Sequence, residues 1–515
     1  MALPVDVRSP RPESRVSAAR ATDTPDATTV EAPSPSAHRS RAAGLPTPFY
    51  SVPPEPGLGG RRLLLISYSF PPETRVGALR WQKMARVFAE RGWSLDVVLV
   101  STEHMESVDM SRMADVPPGT RLFTVPHSEL PITRVQRVLV DLYRRLRARR
   151  PAPAASAAPA AEVSSLHREE LRSSIGGRQA LRRAYLAWLH YAFYRQWARA
   201  AAEEALRIYE PGVHEAVVTS GPPHMTHEAG VIVARRTRLP LVIDLRDPWS
   251  LRHRLEADIA SPVAYRLADR YEARAVAAAD LIVLNTELLL KGMQRKYPDA
   301  AGRMITAMNG ADWEPLPPHR HTARFTIAFA GTIYVDRDPR TLFRGARKVI
   351  DELGLTPADI GLDFIGYVGG PSGVSTVEMA RQEGLEGFVT VGGVRPRREA
   401  LEFLAGAQVL VSLPQDGTLQ IPAKIFDYMN FPAWMLVFGE EGSAPDLLLR
   451  GTDADFVRLD DVEGTAAVIR RRYLQYRRGE RPTPVNADGR FSRESQAHIL
   501  VDAIEQRVVV GESKE

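Results

Sequence analysis

Gln420-Ile421-Pro422-Ala423-Lys424-Ile425-Phe426-Asp427-Tyr428-Met429 is the stretch on which the reading of this chain turns. It follows the apolar run Gln408-Val409-Leu410-Val411-Ser412-Leu413-Pro414, which reads as a buried strand. Pro422 suits the first turn of a helix, where its missing N–H has no partner to lose. Lys424 and Asp427, three residues apart, then share one face near the helix start. In an open α/β sheet, ligands bind outside the carboxyl ends of the strands, where such helices begin. A carboxylate there accepts both hydroxyls of a ribose, while a Lys and first-turn N–H groups attract phosphate. The competing reading is a surface ion pair on an ordinary amphipathic helix.

Working outward, the strand pattern supplies the fold class. Residues 1 to about 60 are rich in Pro, Ala, Ser, Thr and Arg and read as a disordered tail. Folded sequence is predicted to begin at Arg61-Arg62-Leu63-Leu64-Leu65-Ile66-Ser67-Tyr68, a run apolar enough for a parallel strand buried on both faces. The turn Phe70 to Gly77, a helix through Arg80 to Phe88 and a strand over Leu95–Val100 make a Rossmann-like start. Further strands are predicted at 216–220, 241–244 and 281–284. After Asn309-Gly310 and the prolines 315, 317 and 318 the pattern begins again, at 325–330, 362–365, 389–391, 409–411 and 435–438. The prediction is α/β: two Rossmann-like doubly wound domains, 61–314 and 320–480, facing a central cleft, then a C-terminal helix and tail over 481–515.

Length agrees, since 515 residues exceed one ordinary domain. The absence of cysteine excludes disulfides, thiolate metal sites and Cys nucleophiles, and fits a cytoplasmic setting. The N-terminus lacks the apolar segment of a signal peptide, and no run is apolar enough to span a bilayer. From Ile132 to Ala200 there are fourteen Arg against four Asp or Glu, enough to outweigh the whole chain's formal +5. This insertion, 132–180, carries Val135, Val138, Leu139, Leu142 and Leu146 at helical spacing, then an Ala/Pro linker over 151–161. An aromatic-rich helix with Tyr185, Trp188, Tyr191, Phe193 and Trp197 follows, from about 180 to 209. An apolar stripe flanked by Arg suits an anionic membrane surface better than nucleic acid. The alternative is a helix docked on its own domain.

Several loops at strand ends carry candidate chemistry. Gly331 and Thr332 precede Arg337, Asp338, Pro339 and Arg340, with Asp338 read as an N-cap and Pro339 as the first helical residue. That places a Gly loop and two guanidinium groups where a diphosphate would sit. Gly393, Val394 and Arg395 offer main-chain groups to a base edge, or form only a tight turn. His224 and His227 suggest an acid/base or metal pair, but no third ligand follows by spacing, and a capping His is the simpler reading. Asp244 and Asp247 flank Arg246 at a strand end and read as substrate contacts. Asp453-Ala454-Asp455 matches the metal-binding DxD pattern but reads as a loop. No Walker loop, GxSxG elbow or HExxH occurs, and no metal site is assigned.

Together these segments resemble the family-4-like glycosyltransferases of GT-B architecture. The matching pieces, in order, are Ser67–Glu73, Val76–Trp81, Ser220–His224, Asp244–Trp249, Gly331-Thr332 through Pro339, and Ile421–Tyr428. The resemblance covers roughly 62–110 and 185–505. It implies a retaining, metal-independent transferase without a cofactor. Its co-substrate would be a nucleotide-diphosphate sugar held by the C-terminal domain, and its acceptor a glycan or lipid-linked molecule on the N-terminal one. Arg337, Arg340 and Lys424 would neutralise the departing diphosphate, Asp427 would hold the ribose, and Gly393–Arg395 the base. Gly77 would let the first-domain loop approach the donor, with Asp247 or His224 facing the acceptor. The diphosphate itself can take the acceptor proton, so no protein nucleophile is required. The chain departs from the family where many relatives carry a Glu touching the donor sugar, here Leu419. It departs also at Thr332, often Arg, and at Asn430-Phe431-Pro432-Ala433-Trp434, commonly Ala-Ala-Gly-Lys-Pro. A scaffold protein that kept the fold and a sugar-nucleotide epimerase are the competing readings.

Overall fold

The computed structural model describes residues 46–55, 60–128, 130, 132, 165–167, 177–312, 315–318, 324–333, 337–369, 374–413 and 417–509. The tail before residue 46, the helix read over 135–146 and the Ala/Pro linker lie outside the described residues. No helix among them is long and apolar enough to cross a membrane.

An eight-stranded sheet has the order β1-β4-β3-β2-β6-β7-β9-β10. Its strands are β1 (Tyr50–Ser51), β2 (Arg62–Ser67), β3 (Ser94–Val100), β4 (Arg121–Val125), β6 (His214–Gly221), β7 (Leu241–Leu245), β9 (Leu281–Leu284) and β10 (Met304–Thr306). All pairs are parallel except β1 with β4. The reading of irregular chain up to residue 60 is therefore corrected. Tyr50 and Ser51 form an edge strand on Leu122 and Arg121, too short for periodicity to reveal. A small antiparallel pair, β5 (Ser165–His167) with β8 (Arg254–Glu256), was likewise invisible to pattern.

The second sheet, β13-β12-β11-β14-β15-β16, is parallel throughout. It comprises β11 (Phe325–Ala330), β12 (Ile360–Ile365), β13 (Val389–Val391), β14 (Val409–Ser412), β15 (Trp434–Gly439) and β16 (Asp455–Arg458). Each sheet carries apolar clusters on both faces. In β2, Leu63 and Leu65 enter one cluster while Leu64 and Ile66 enter the other, as strand alternation dictates. That explains why the central strands read as unbroken apolar runs.

The C-terminal helix Arg493–Ile504 does not extend the second domain. Ala497, Leu500, Val501 and Ile504, at helical spacing, pack into the first domain's cluster with Trp81, Phe88 and Trp93. Trp93 Nε1 donates to Glu505 at 3.0 Å, and Arg91 pairs with Asp502 and Glu505. Arg493 pairs with Asp312 at 2.8 Å, so the first crossing between the sheets is tied to the return crossing.

Strand order reverses between β2 and β6 in the first sheet and between β11 and β14 in the second. These switch points open crevices at the strands' carboxyl ends, where ligands of doubly wound folds bind. The first crevice is walled by Tyr68–Phe70 and Gly221–His224. The second is walled by Gly331 and the segment leading to Lys424.

Candidate functional site

At the second switch point β11 ends in Ala330-Gly331. Gly331 has φ +145°, a left-handed conformation that L side chains resist, and a Cβ there would stand 2.7 Å from Lys424 Nζ. The glycine thus serves both the turn and the approach of the lysine. Tyr428, one helical turn after Lys424, supports the same loop: its hydroxyl accepts from Ala330 N at 3.1 Å. Arg337, buried at 7 % exposure, donates to Thr332 O at 2.7 Å. Two cations and a glycine loop are therefore brought together as the motifs predict.

Lys424 Nζ is enclosed and has no hydrogen-bond partner among the described residues. It lies over the Phe329 ring at 3.9 Å, a partial compensation. Burial, then the nearby Arg337 charge, holds its pKa well below the usual lysine range. The surface ion pair with Asp427 does not form. The helix Ala423–Tyr428 is only six residues long, with Pro422 at its N-cap rather than inside its first turn. Asp427 faces Arg397 instead, at 3.7 Å.

Arg340 stands apart from this pair. Its guanidinium is held by Asp338 at 2.6 Å, and Asp338 Oδ1 accepts from Arg340 N. The helix begins at Arg340, with Pro339 as N-cap, so both sequence assignments are one residue early. Gly393, Val394 and Arg395 follow β13 in an exposed turn: Gly366 N donates to Gly393 O at 3.1 Å, Val394 is 57 % exposed, and Arg395 pairs with Glu399. The DxD segment is structural: Arg472 binds Asp455 at 2.7 Å and Asp453 at 2.9 Å.

In the first crevice the assignments change more. Asp244 is wholly buried, takes a two-point ion pair from Arg80, and accepts from Trp81 Nε1 and Ser220 Oγ. Arg80 also donates to Ala307 O and Met308 O, so Asp244 anchors the crossing between domains and is not a substrate contact. Asp247 does reach the cleft, where Gln420 Nε2 donates to its Oδ1 at 2.6 Å. Thr286 Oγ1 donates to Leu419 O at 2.8 Å, and Leu419 packs against the first domain's core. At the position where the family resemblance implied a donor-binding acid, this chain latches its two domains together.

His224 is buried and stacked on Trp249 at 5.1 Å. Burial foremost, with Arg252 and His227, keeps its pKa well below the histidine range, so it is neutral at physiological pH. His227 is enclosed, bonded to Thr219 at 2.8 Å, and lowered to about 3 by burial, so the metal or acid/base pair is not formed. Gly77 makes its close approach to Arg246 within its own domain, its missing Cβ admitting the guanidinium.

Sequence reasoning missed an aromatic wall beside this crevice. His127 stacks on Phe193 at 3.9 Å and faces Tyr68, which packs on Trp197 and Tyr194. Burial lowers the His127 pKa to about 4, and both of its ring nitrogens are enclosed without partners among the described residues. The aromatic spacing along the helix was the available signal. The strand-end position of His127 was not, because β4 went unread.

Two doubly wound domains joined in this way define the GT-B fold. In sequence the chain is similar to a D-inositol 3-phosphate glycosyltransferase of a Nocardioides species, 26 % identical over 305 residues. The match covers 54 % of this chain and 62 % of that relative, less than two thirds of its length. In structure it is similar to sucrose-phosphate synthase from Thermosynechococcus elongatus, with TM-score 0.53 and 12 % identity over 87 % of this chain and 98 % of that one. An α,α-trehalose 6-phosphate synthase from Burkholderia multivorans gives TM-score 0.50 and 12 % identity, over 88 % and 98 %. No family model matches the sequence. The fold is the GT-B fold that the resemblance implied, and the sequence relative is itself a glycosyltransferase.

Proposed function

We propose that this chain is a glycosyltransferase that takes a sugar from a nucleotide-diphosphate sugar bound at the second switch point. The observation that carries the reading is Lys424: an enclosed side-chain nitrogen with no hydrogen-bond partner among the described residues, beside Arg337 and against Gly331. A buried cation of this kind costs several kcal/mol unless an anion meets it, and a diphosphate supplies that anion. Charge builds on the diphosphate as the glycosidic bond breaks, so the two cations act most strongly in the transition state. Asp427, half-exposed beside Arg397, takes the ribose, and the Gly393–Arg395 turn takes the base.

The retaining, metal-independent hexosyl transfer expected of the family fits the first crevice. Asp247 is engaged by Gln420 and His224 is neutral and stacked, so neither is poised as a nucleophile. The leaving diphosphate, held by Arg337 and Lys424, then receives the acceptor proton. Purified full-length protein is expected to release nucleoside diphosphate from one of a panel of nucleotide sugars when the acceptor is present, and Asp427→Ala to abolish this. Binding without turnover on any acceptor would support the scaffold reading instead.

The acceptor is read as a glycan or lipid-linked molecule, in cell-surface polysaccharide or glycolipid synthesis at the inner face of the membrane. The helix Gly177–Ile208 supports this, for Leu181 is 72 % and Trp188 45 % exposed, on the face shared with Tyr185 and flanked by Arg178, Arg182 and Arg183. Apolar anchors beside arginines suit an anionic lipid surface. The protein is expected to sediment with anionic vesicles and to lose this in the double variant Leu181→Glu, Trp188→Glu. Retention of vesicle binding by that variant would dismiss the idea.

A further inference from the structure

We propose that Arg246, lying over Gly77 at the start of the helix Val76–Glu90, is an oxyanion-binding residue on the first domain's side of the cleft, recognising a phosphate or carboxylate of the substrate. Only the class of substrate rests on the transferase reading. Arg246 is 7 % exposed, so its charge is nine-tenths removed from water. Its Nε donates to Gly221 O at 3.2 Å and its Nη2 to Pro222 O at 2.6 Å. Nη1 makes no hydrogen bond among the described residues, yet it is not among the fully enclosed polar atoms, so it keeps an opening. It occupies the space that a Cβ on Gly77 would take.

Among the described residues, no carboxylate reaches this guanidinium at ion-pair distance. Asp244 is occupied by Arg80, Trp81 and Ser220, and Asp247 by Gln420. Glu73, the third acidic neighbour, has Arg75 at 3.6 Å. The helix start beside Nη1 has no side-chain cap at Arg75, leaving first-turn N–H groups and their partial positive charge on the same spot. Holding the 221–222 loop requires only Nε and Nη2. An unpaired buried guanidinium with one surplus fork is instead matched to an oxyanion.

Two sources share this chemistry: the donor diphosphate reaching across the cleft, or an anionic group on the acceptor. Full-length wild type, Arg246→Gln and Gly77→Ala are titrated with UDP and GDP by calorimetry. Inorganic phosphate is then added to the nucleotide-saturated proteins while melting is followed. Gly77→Ala keeps the charge but drives a Cβ into Nη1, so it tests the geometry should Arg246→Gln fold poorly. Loss of about tenfold or more in nucleotide affinity in both variants, as expected for a charged hydrogen bond, assigns the anion to the donor. Unchanged nucleotide affinity, with a phosphate-induced rise in melting temperature confined to wild type, assigns it to the acceptor. Equal responses of all three proteins to both probes overturn the proposal. Failure of wild type to bind either nucleotide would count against the donor-site reading, while the phosphate response would still decide the role of Arg246.

Discussion

Lys424→Met is expected to melt at a higher temperature than wild type while losing about 100-fold or more in turnover of the nucleotide sugar. The two effects share one cause. In the free protein Lys424 Nζ is enclosed beside Arg337, with no hydrogen-bond partner among the described residues, so its replacement by an apolar side chain of similar length relieves a penalty of about 1 kcal/mol or more. Under the proposed function the same side chain faces the departing diphosphate in the transition state, and Met supplies no charge there. The pH dependence carries the same sign. A lysine whose folded pKa lies below its unfolded value binds fewer protons folded than unfolded between the two values. Stability of the free protein therefore rises with pH across that window, up to about 10.4. Lys424→Met flattens this rise, and a bound diphosphate does so by restoring the charged form. Paired thermal melts and initial rates from pH 7 to 10 check both. A destabilised Lys424→Met protein with unaltered turnover would remove Lys424 from the site.

Asp244→Ala is expected to cost about 3–5 kcal/mol of stability, read from urea unfolding, because it strands the buried Arg80. Trp81 Nε1 and Ser220 Oγ lose their acceptor in the same step. Arg80 would retain its carbonyl bonds at Ala307 and Met308, so the damage should centre on the contact between the first domain and the crossing at 307–309. Activity should fall with the folded fraction and no further. A protein of full stability that had lost turnover would return Asp244 to the role of substrate contact that its position at a strand end suggested.

That misassignment shows what pattern can and cannot carry. Central parallel strands such as β2 and β14 are legible because burial on both faces forces an unbroken apolar run. Two-residue β1 and three-residue β5, β8 and β10 are not, because so few residues hold no period, and the equally short β13 stood out only through the Gly392-Gly393 turn that follows it. The Gly331 loop, Arg337 and Lys424 were legible as a set, since phosphate-suited residues recur at successive strand ends. The Lys424–Asp427 ion pair was not a safe inference from spacing, because a six-residue helix gives each side chain its own neighbours. Asp244 has its partner 164 residues away at Arg80, and no local signal distinguishes a buried anchor from a substrate contact. The same distance problem hid Arg246: its isolation is visible only once Asp244 and Asp247 are seen to be taken.

Leu419 illustrates a departure that the structure explains. A sequence comparison registers only the missing acid. The folded chain shows Leu419 packed on the first domain's core, with its carbonyl on Thr286 and the next side chain on Asp247. The segment that the family resemblance would place on the donor sugar here couples the helix Ala423–Tyr428 to the first domain.

The meeting of a diphosphate with Lys424 is tested most directly by a crystal structure of the protein soaked with a nucleoside diphosphate. The predicted result places a phosphate oxygen within hydrogen-bond reach of Lys424 Nζ beside Gly331, with the ribose on Asp427. A nucleotide bound elsewhere, with Lys424 Nζ still without a partner, would contradict it.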